Sequence, residues 1–97
     1  MIFRFTPEAD AELTEARQWY SHQRKDLDLE FMQCIDLALS QIGSNPRMFP
    51  VVYRSLRRAV VRRFPFAILY DFTTDEIQII AVFHSRRDPE VWKARVS

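Results

Sequence analysis

The residues best placed to do chemistry in this 97-residue sequence are arginines. Arg58 and Arg62 lie four apart in an alternating stretch, so on a strand they project to one face with Val60 between them. Arg57 and Arg63 fall on the other face or at the strand ends. A second group, His84-Ser85-Arg86-Arg87, stands where a later strand should end. Guanidinium forks match phosphate and carboxylate oxygens. If the groups meet, Arg58, Arg62, Arg86 and Arg87 make one basic hollow suited to a phosphate backbone or a run of carboxylates. The alternative is that exposed arginines on a sheet edge only deter edge-to-edge pairing. His84 is either a general acid/base beside Arg86 or a partly buried imidazole closing a strand.

Other chemistries lack their residues. His22, His84 and the single Cys34 have no metal-ligand spacing, so no metal site and no cofactor is expected. One glycine leaves no glycine-rich phosphate loop. A lone cysteine excludes an internal disulfide and fits a reducing compartment. Cys34 sits inside an apolar helical pattern and reads as core. The N-terminus lacks the basic start and apolar run of a signal peptide, and no stretch is long enough to span a membrane. The expectation is a cytoplasmic protein without membrane contact.

The charge is divided along the chain. Residues 1–45 hold four basic and eight acidic side chains, a net −4, and residues 46–97 hold ten basic and five acidic, a net +5. Twelve of the 14 basic residues are Arg. An asymmetry of this kind suits an acidic protein segment or a polyanion facing the second half.

The positioning elements follow from period and punctuation. Residues 2–5 read as a short strand. Thr6 and Pro7 open a helix over about 7–23, with Glu8, Asp10 and Glu12 in its first turns where the dipole favours acids. Ala9, Leu13, Ala16 and Tyr20 form its apolar stripe, with Trp19 beside them. His22–Asp26 is a tight connection. Leu27, Phe31, Ile35, Ala38 and Ile42 mark a second helix, with Gly43 expected just past its end and Pro46 beyond. Residues 44–56 read as an irregular connection anchored by Met48, Phe49 and Tyr53. The period then becomes two: Arg57–Phe64 is a strand that Pro65 ends or bends, and Phe66–Phe72 and Glu76–His84 form a hairpin. Phe66, Ile68, Tyr70 and Phe72 share one face, as do Ile77, Ile79, Ala81 and Phe83. Asp88–Lys93 is a short final helix with Pro89 at its start. The order β-α-α-β-β-β in one domain, 1–97, predicts an α+β fold: an N-terminal helical hairpin on a twisted antiparallel sheet, with a short C-terminal helix.

Three segments carry a family resemblance: Asn45-Pro46 through Phe49-Pro50 and Val52-Tyr53, then Arg57 to Tyr70, then Val82-Phe83-His84-Ser85-Arg86-Arg87-Asp88-Pro89-Glu90-Val91-Trp92. Together with Ala9-Asp10, Glu12-Leu13, Glu15-Ala16 and Trp19-Tyr20, they resemble the RelE/ParE toxin superfamily of type II toxin–antitoxin systems, in its ParE-like plasmid stabilisation branch. The resemblance implies a toxin neutralised by a cognate antitoxin and inhibiting growth by poisoning DNA gyrase, without chemistry of its own. An antitoxin would lay an acidic or amphipathic segment over the toxin, and oligomers would form only through that complex. The resemblance also admits a ribosome-dependent mRNA endoribonuclease, or a non-toxic binding module of the same fold. In the nuclease case Arg58, Arg86 and His84 would be catalytic. Val60 and Ala67 then stand where nucleases carry further basic residues, and Trp92 where some carry a catalytic Tyr. Target or antitoxin contact is expected at Arg57, Arg58, Arg62, Arg63, Arg86, Arg87 and Trp92. Trp92 is expected to pack under the basic loop and fix Arg86 and Arg87.

Overall fold

The first helix begins where its capping residues stand. Thr6 is extended, its hydroxyl accepts from the Ala9 N–H at 3.1 Å, and Pro7 follows it. In the computed structural model, which describes residues 2–96, the order is β1 (Ile2–Phe5), α1 (Pro7–Gln23), α2 (Leu27–Ser44), β2 (Val51–Tyr53), β3 (Leu56–Val60), β4 (Phe66–Phe72), β5 (Glu76–His84) and α3 (Glu90–Lys93), with a 3-10 turn at Ala94–Val96. The fold is α+β, as the sequence predicts. Ala9, Ala16 and Tyr20 of α1 and Phe31, Cys34, Ile35, Ala38 and Ile42 of α2 are the buried stripes. They pack with Ala59, Val61, Ile68, Tyr70, Ile77, Ile79 and Val82 on one face of the sheet, called inner here. Leu56, Ala67, Leu69, Ile80, Ala81 and Phe83 form a second apolar cluster on the outer face, covered by Trp92 of α3.

The sheet order is β1-β5-β4-β3-β2. β1 joins β5 in parallel and the other pairs are antiparallel, so the sheet is mixed. Its fifth strand, β2, lies inside the connection expected to be irregular. Three residues between Pro50 and a tight turn are too few to show a period of two. Met48 is exposed rather than an anchor, whereas Phe49 and Tyr53 do pack.

Three further departures have local causes. Gly43 lies within α2, which runs on to Ser44 and is closed by the Asn45 N–H bonding the Gln41 carbonyl. A Cβ there would touch the Phe3 ring at 3.4 Å, an ordinary van der Waals contact. β3 stops at Val60, and residues 61–65 form a turn with Arg63 at φ 71°. Arg62 is therefore off the strand. Finally, Tyr70 stands opposite Ile79 and Leu69 opposite Ala81, which leaves Ile80 as a bulge. The extra residue reverses the alternation. Ala81 and Phe83 turn to the outer face, while Val82 moves to the inner one.

The Tyr70 hydroxyl donates to the Pro46 carbonyl at 2.6 Å and ties the α2–β2 connection to the core. Tyr70→Phe should cost about 1–2 kcal/mol in urea denaturation, because the carbonyl loses its partner without a change of volume. Burial raises the hydroxyl pKa of both Tyr20 and Tyr70 above the ordinary 10.0, with Arg57 partly opposing it at Tyr70. A raised folded value means the unfolded chain loses these protons first. Their contribution should be intact below pH 10 and fall as pH rises further, and Tyr70→Phe should lessen that fall in a denaturation series.

Candidate functional site

The loops after β3 and β5 meet because β4 lies between those strands. Phe66 pairs with His84, and the Ser85 N–H donates to the Pro65 carbonyl at 2.8 Å. Arg62 and Arg63, in the β3–β4 turn, therefore share one end of the sheet with Arg86 and Arg87. The His84 Nδ1 accepts from the Arg86 N–H at 3.1 Å, and the His84 carbonyl from the Arg87 N–H at 2.9 Å. The first of these bonds needs an unprotonated Nδ1, which leaves the ring proton on Nε2. His84 is half-buried with its ring 5.4 Å from that of Phe66, a strand-closing imidazole.

A groove of about 710 Å³ opens between α1 and this end of the sheet. Ala16, Tyr20, Phe66 and Val82 contribute to its apolar lining, and His84, Arg86 and Arg87 stand along it. Trp19, 58% exposed, edges against Tyr20 at 5.1 Å and extends the apolar wall into solvent.

Glu12, on α1, holds the loop from behind. Its carboxylate accepts from Arg95 at 2.8 and 3.0 Å, from Arg87 at 3.2 Å and from the Val82 N–H at 3.2 Å. The Glu12 hydrogen bonds raise the Arg95 pKa further, against the opposing effect of burial. Arg63 makes a longer contact to Glu30 at 3.4 Å, on the surface. Among the described residues, the side chains of Arg62 and Arg86 have no hydrogen-bond or ion-pair partner.

The remaining arginines do not join them, so the single hollow expected from spacing does not form. Arg57 and Arg58 are neighbours on β3 and point to opposite faces. Arg57 donates to the carbonyls of Arg47 at 3.1 Å and Phe49 at 2.7 Å, a structural tie on the inner side. Arg58 lies on the outer face, its guanidinium 5.8 Å from the centre of the Phe83 ring. Trp92 is buried on that same face against Phe83 and Tyr53, at ring distances of 5.9 and 6.1 Å. It packs in the outer cluster with Leu56, Ala67, Leu69, Ile80, Ala81 and Phe83, whereas Arg86 and Arg87, which it was expected to fix, line the groove beside α1. Cys34 is buried and unpaired in α2. Among the described residues, no three His, Cys, Asp or Glu side chains gather as a metal site, and no helix is long and apolar enough to cross a membrane.

A family model for the ParE toxin of type II toxin–antitoxin systems, parDE, matches residues 3–89. The chain belongs to the ParE toxin family. It is 26% identical over 87 residues to Toxin ParE2 of Mycobacterium tuberculosis, in two strains, covering 89% of this chain and 83% of that protein. A solved structure described as the chromosomal ParDE TA system from P. aeruginosa superposes with a TM-score of 0.67 at 21% identity, over 87% of this chain and 95% of that one. That likeness concerns the fold.

In this ParE-family chain, spacing failed to single out Glu12 and Trp19. Glu12 looked like one of several acids favoured near a helix start. Its distinguishing signal was position: it lies one turn before Ala16 on the buried stripe, where an acid needs a partner. Glu12→Ala should destabilise the fold by roughly 3 kcal/mol, mostly through the largely buried Arg95, since half-exposed Arg87 contributes little. Amide exchange should quicken at residues 84–88 and 94–96 while β4 stays protected. Glu12→Gln should lose less, because its amide oxygen can still accept from Val82.

Proposed function

We propose that this chain is the toxin of a type II module, neutralised by a cognate antitoxin, and that it inhibits growth by poisoning DNA gyrase in the cytoplasm. The observation that carries the choice of target is the separation of Arg58 from the Arg86–Arg87 loop. A nuclease of the resembling pattern would use both at one scissile phosphate, whereas here the sheet lies between them. The His84 Nδ1 is also occupied by the Arg86 N–H rather than turned to a substrate. Arg62, Arg63, Arg86 and Arg87 at one sheet end suit recognition of an acidic protein surface, which requires no bond to be broken.

Two surfaces suit an antitoxin. β2 is a sheet edge whose Val51 and Val52 are exposed, and an extended segment can pair with it. The Trp19 groove can take apolar side chains from a helix. A partner carrying acids among those apolar residues would meet the net +5 half of the chain.

Induced expression should block replication and raise a DNA-damage reporter while amino-acid incorporation continues, and co-expression of the antitoxin should restore growth. In a supercoiling assay with purified gyrase, Arg86→Ala should raise the half-inhibitory concentration about tenfold or more, without changing the melting temperature. Prompt translation arrest with cut mRNA, abolished by Arg58→Ala or Arg86→Ala, would establish the endoribonuclease instead. Unimpaired growth under strong induction would leave a binding module.

A further inference from the structure

We infer that the groove between α1 and the sheet end binds a free aromatic amino acid, with its ring along Trp19, Tyr20 and Phe66, its carboxylate at Arg86 and its ammonium at Glu15. The site stands apart from the gyrase reading and from the antitoxin's use of the same groove.

The space suits a small molecule. About 710 Å³ falls within the roughly 300–1,000 Å³ of small-ligand sites, which are apolar with a few convergent polar groups. Aromatic rings run along it in one row. Trp19 meets Tyr20 at 5.1 Å, Tyr20 meets Phe66 at 6.1 Å, and Phe66 meets His84 at 5.4 Å. Trp19 leaves 58% of its surface in water, area that a flat ring can cover.

Four polar groups on the lining have no partner among the described residues. Tyr20 is 7% exposed, yet its hydroxyl makes no hydrogen bond. It is not sealed in: the buried side-chain donors lacking an acceptor are Arg58 Nε and Trp92 Nε1. The hydroxyl is therefore reached from outside, through the groove that Tyr20 lines. His84 gives its Nδ1 to the Arg86 N–H, which leaves the Nε2–H unused. The Arg86 guanidinium and the Glu15 carboxylate stand on opposite walls, the loop and α1, and no ion pair joins them. One turn back along α1, Glu12 and Arg87 do close that gap, at 3.2 Å. Glu15 and Arg86 are left as separated opposite charges beside a row of rings.

This pairing selects the ligand. Glu15 would repel a simple aromatic carboxylate, and Arg86 a simple aromatic amine. A molecule with both charges on one carbon and a flat apolar body satisfies both walls. Its carboxylate can accept from Arg86 and the His84 Nε2–H, and its ammonium can donate to Glu15. The Tyr20 hydroxyl then meets the polar edge of the ring, which favours tryptophan or tyrosine over phenylalanine. A residue inside a peptide carries neither charge, so the free amino acid fits where a chain does not.

The test is equilibrium dialysis of radiolabelled L-tryptophan against the full chain, without antitoxin or gyrase. Saturable binding is expected with Kd below about 1 mM. In competition, tryptamine should be weaker by about tenfold and indole-3-propionate by about threefold, since each lacks one charge. Arg86→Gln should weaken L-tryptophan and indole-3-propionate by about tenfold and leave tryptamine unchanged or tighter. Glu15→Gln should weaken L-tryptophan and tryptamine by about threefold and leave indole-3-propionate unchanged or tighter. Misfolding cannot produce opposite selectivities. Arg4→Gln, on β1, should bind as the parent does. The inference is overturned if L-tryptophan shows no saturable binding, if the Arg86 and Glu15 variants shift all three ligands alike, or if uncharged indole competes as well as L-tryptophan. Should antitoxin and L-tryptophan bind together, the site is supported and the helix-in-groove reading alone falls.

Discussion

β1 is too short for the strand it joins. Its pairing with β5 ends at Phe5 opposite Ile79, yet β5 continues to His84. The backbone groups just past that point would face nothing, and buried polar groups cannot be left so cheaply. Side chains finish the edge instead. The Ile80 carbonyl accepts from the Thr6 hydroxyl and from Arg95, both at 3.2 Å, and the Val82 N–H donates to Glu12. Glu12 thus replaces part of a missing strand while its oxygens also gather two arginines. One carboxylate joins α1, the uncovered stretch of β5, the basic loop and the C-terminal turn. The placement of Arg87 and Arg95 depends on that edge being closed.

The sequence was most legible where one face repeats at one period. Both helices, the Thr6 cap of α1 and the β4–β5 hairpin stand where spacing placed them, because Ala9, Ala16, Tyr20 and the Phe31–Ile42 stripe bury a continuous surface. The inner face of β4, Phe66 through Phe72, was equally plain. Legibility failed where a single residue changes the phase. Ile80 is as apolar as its neighbours, so nothing in Ile77-Gln78-Ile79-Ile80-Ala81 announces a bulge. Yet that residue decides that His84 faces the groove. The continuation of Arg57–Val60 into Val61–Phe64 looked like one strand because its apolar and basic residues keep alternating. The positive φ at Arg63, invisible in composition, ends it.

Those two phase errors explain the fate of the expected hollow. With an uninterrupted strand, Arg58 and Arg62 would have faced the same way. In the folded chain, Arg58 remains on the outer face, and the turn carries Arg62 round to the end where Arg86 and Arg87 emerge. The net +5 of the C-terminal half is therefore divided between two surfaces. One is backed by α1 and edged by an exposed Trp19; the other is backed by Phe83 and Trp92.

The use of glycine sharpens the point. The chain has one, and it stands in α2, where a Cβ would come into van der Waals contact with the Phe3 ring at 3.4 Å. Among the described residues, those with positive φ are Asp26, Arg54 and Arg63. Asp26 is readily understood, because a short polar side chain tolerates that conformation and its carbonyl starts α2. The two arginines have no such excuse. They bound β3 at its two ends, so the strand that sends Arg57 and Arg58 to opposite faces is held between strained turns. Glycine at either turn would relieve that strain and remove a cation from the surface. A fold that tolerates strain at both positions, with its one glycine standing elsewhere, has favoured charge placement over backbone ease along this one strand.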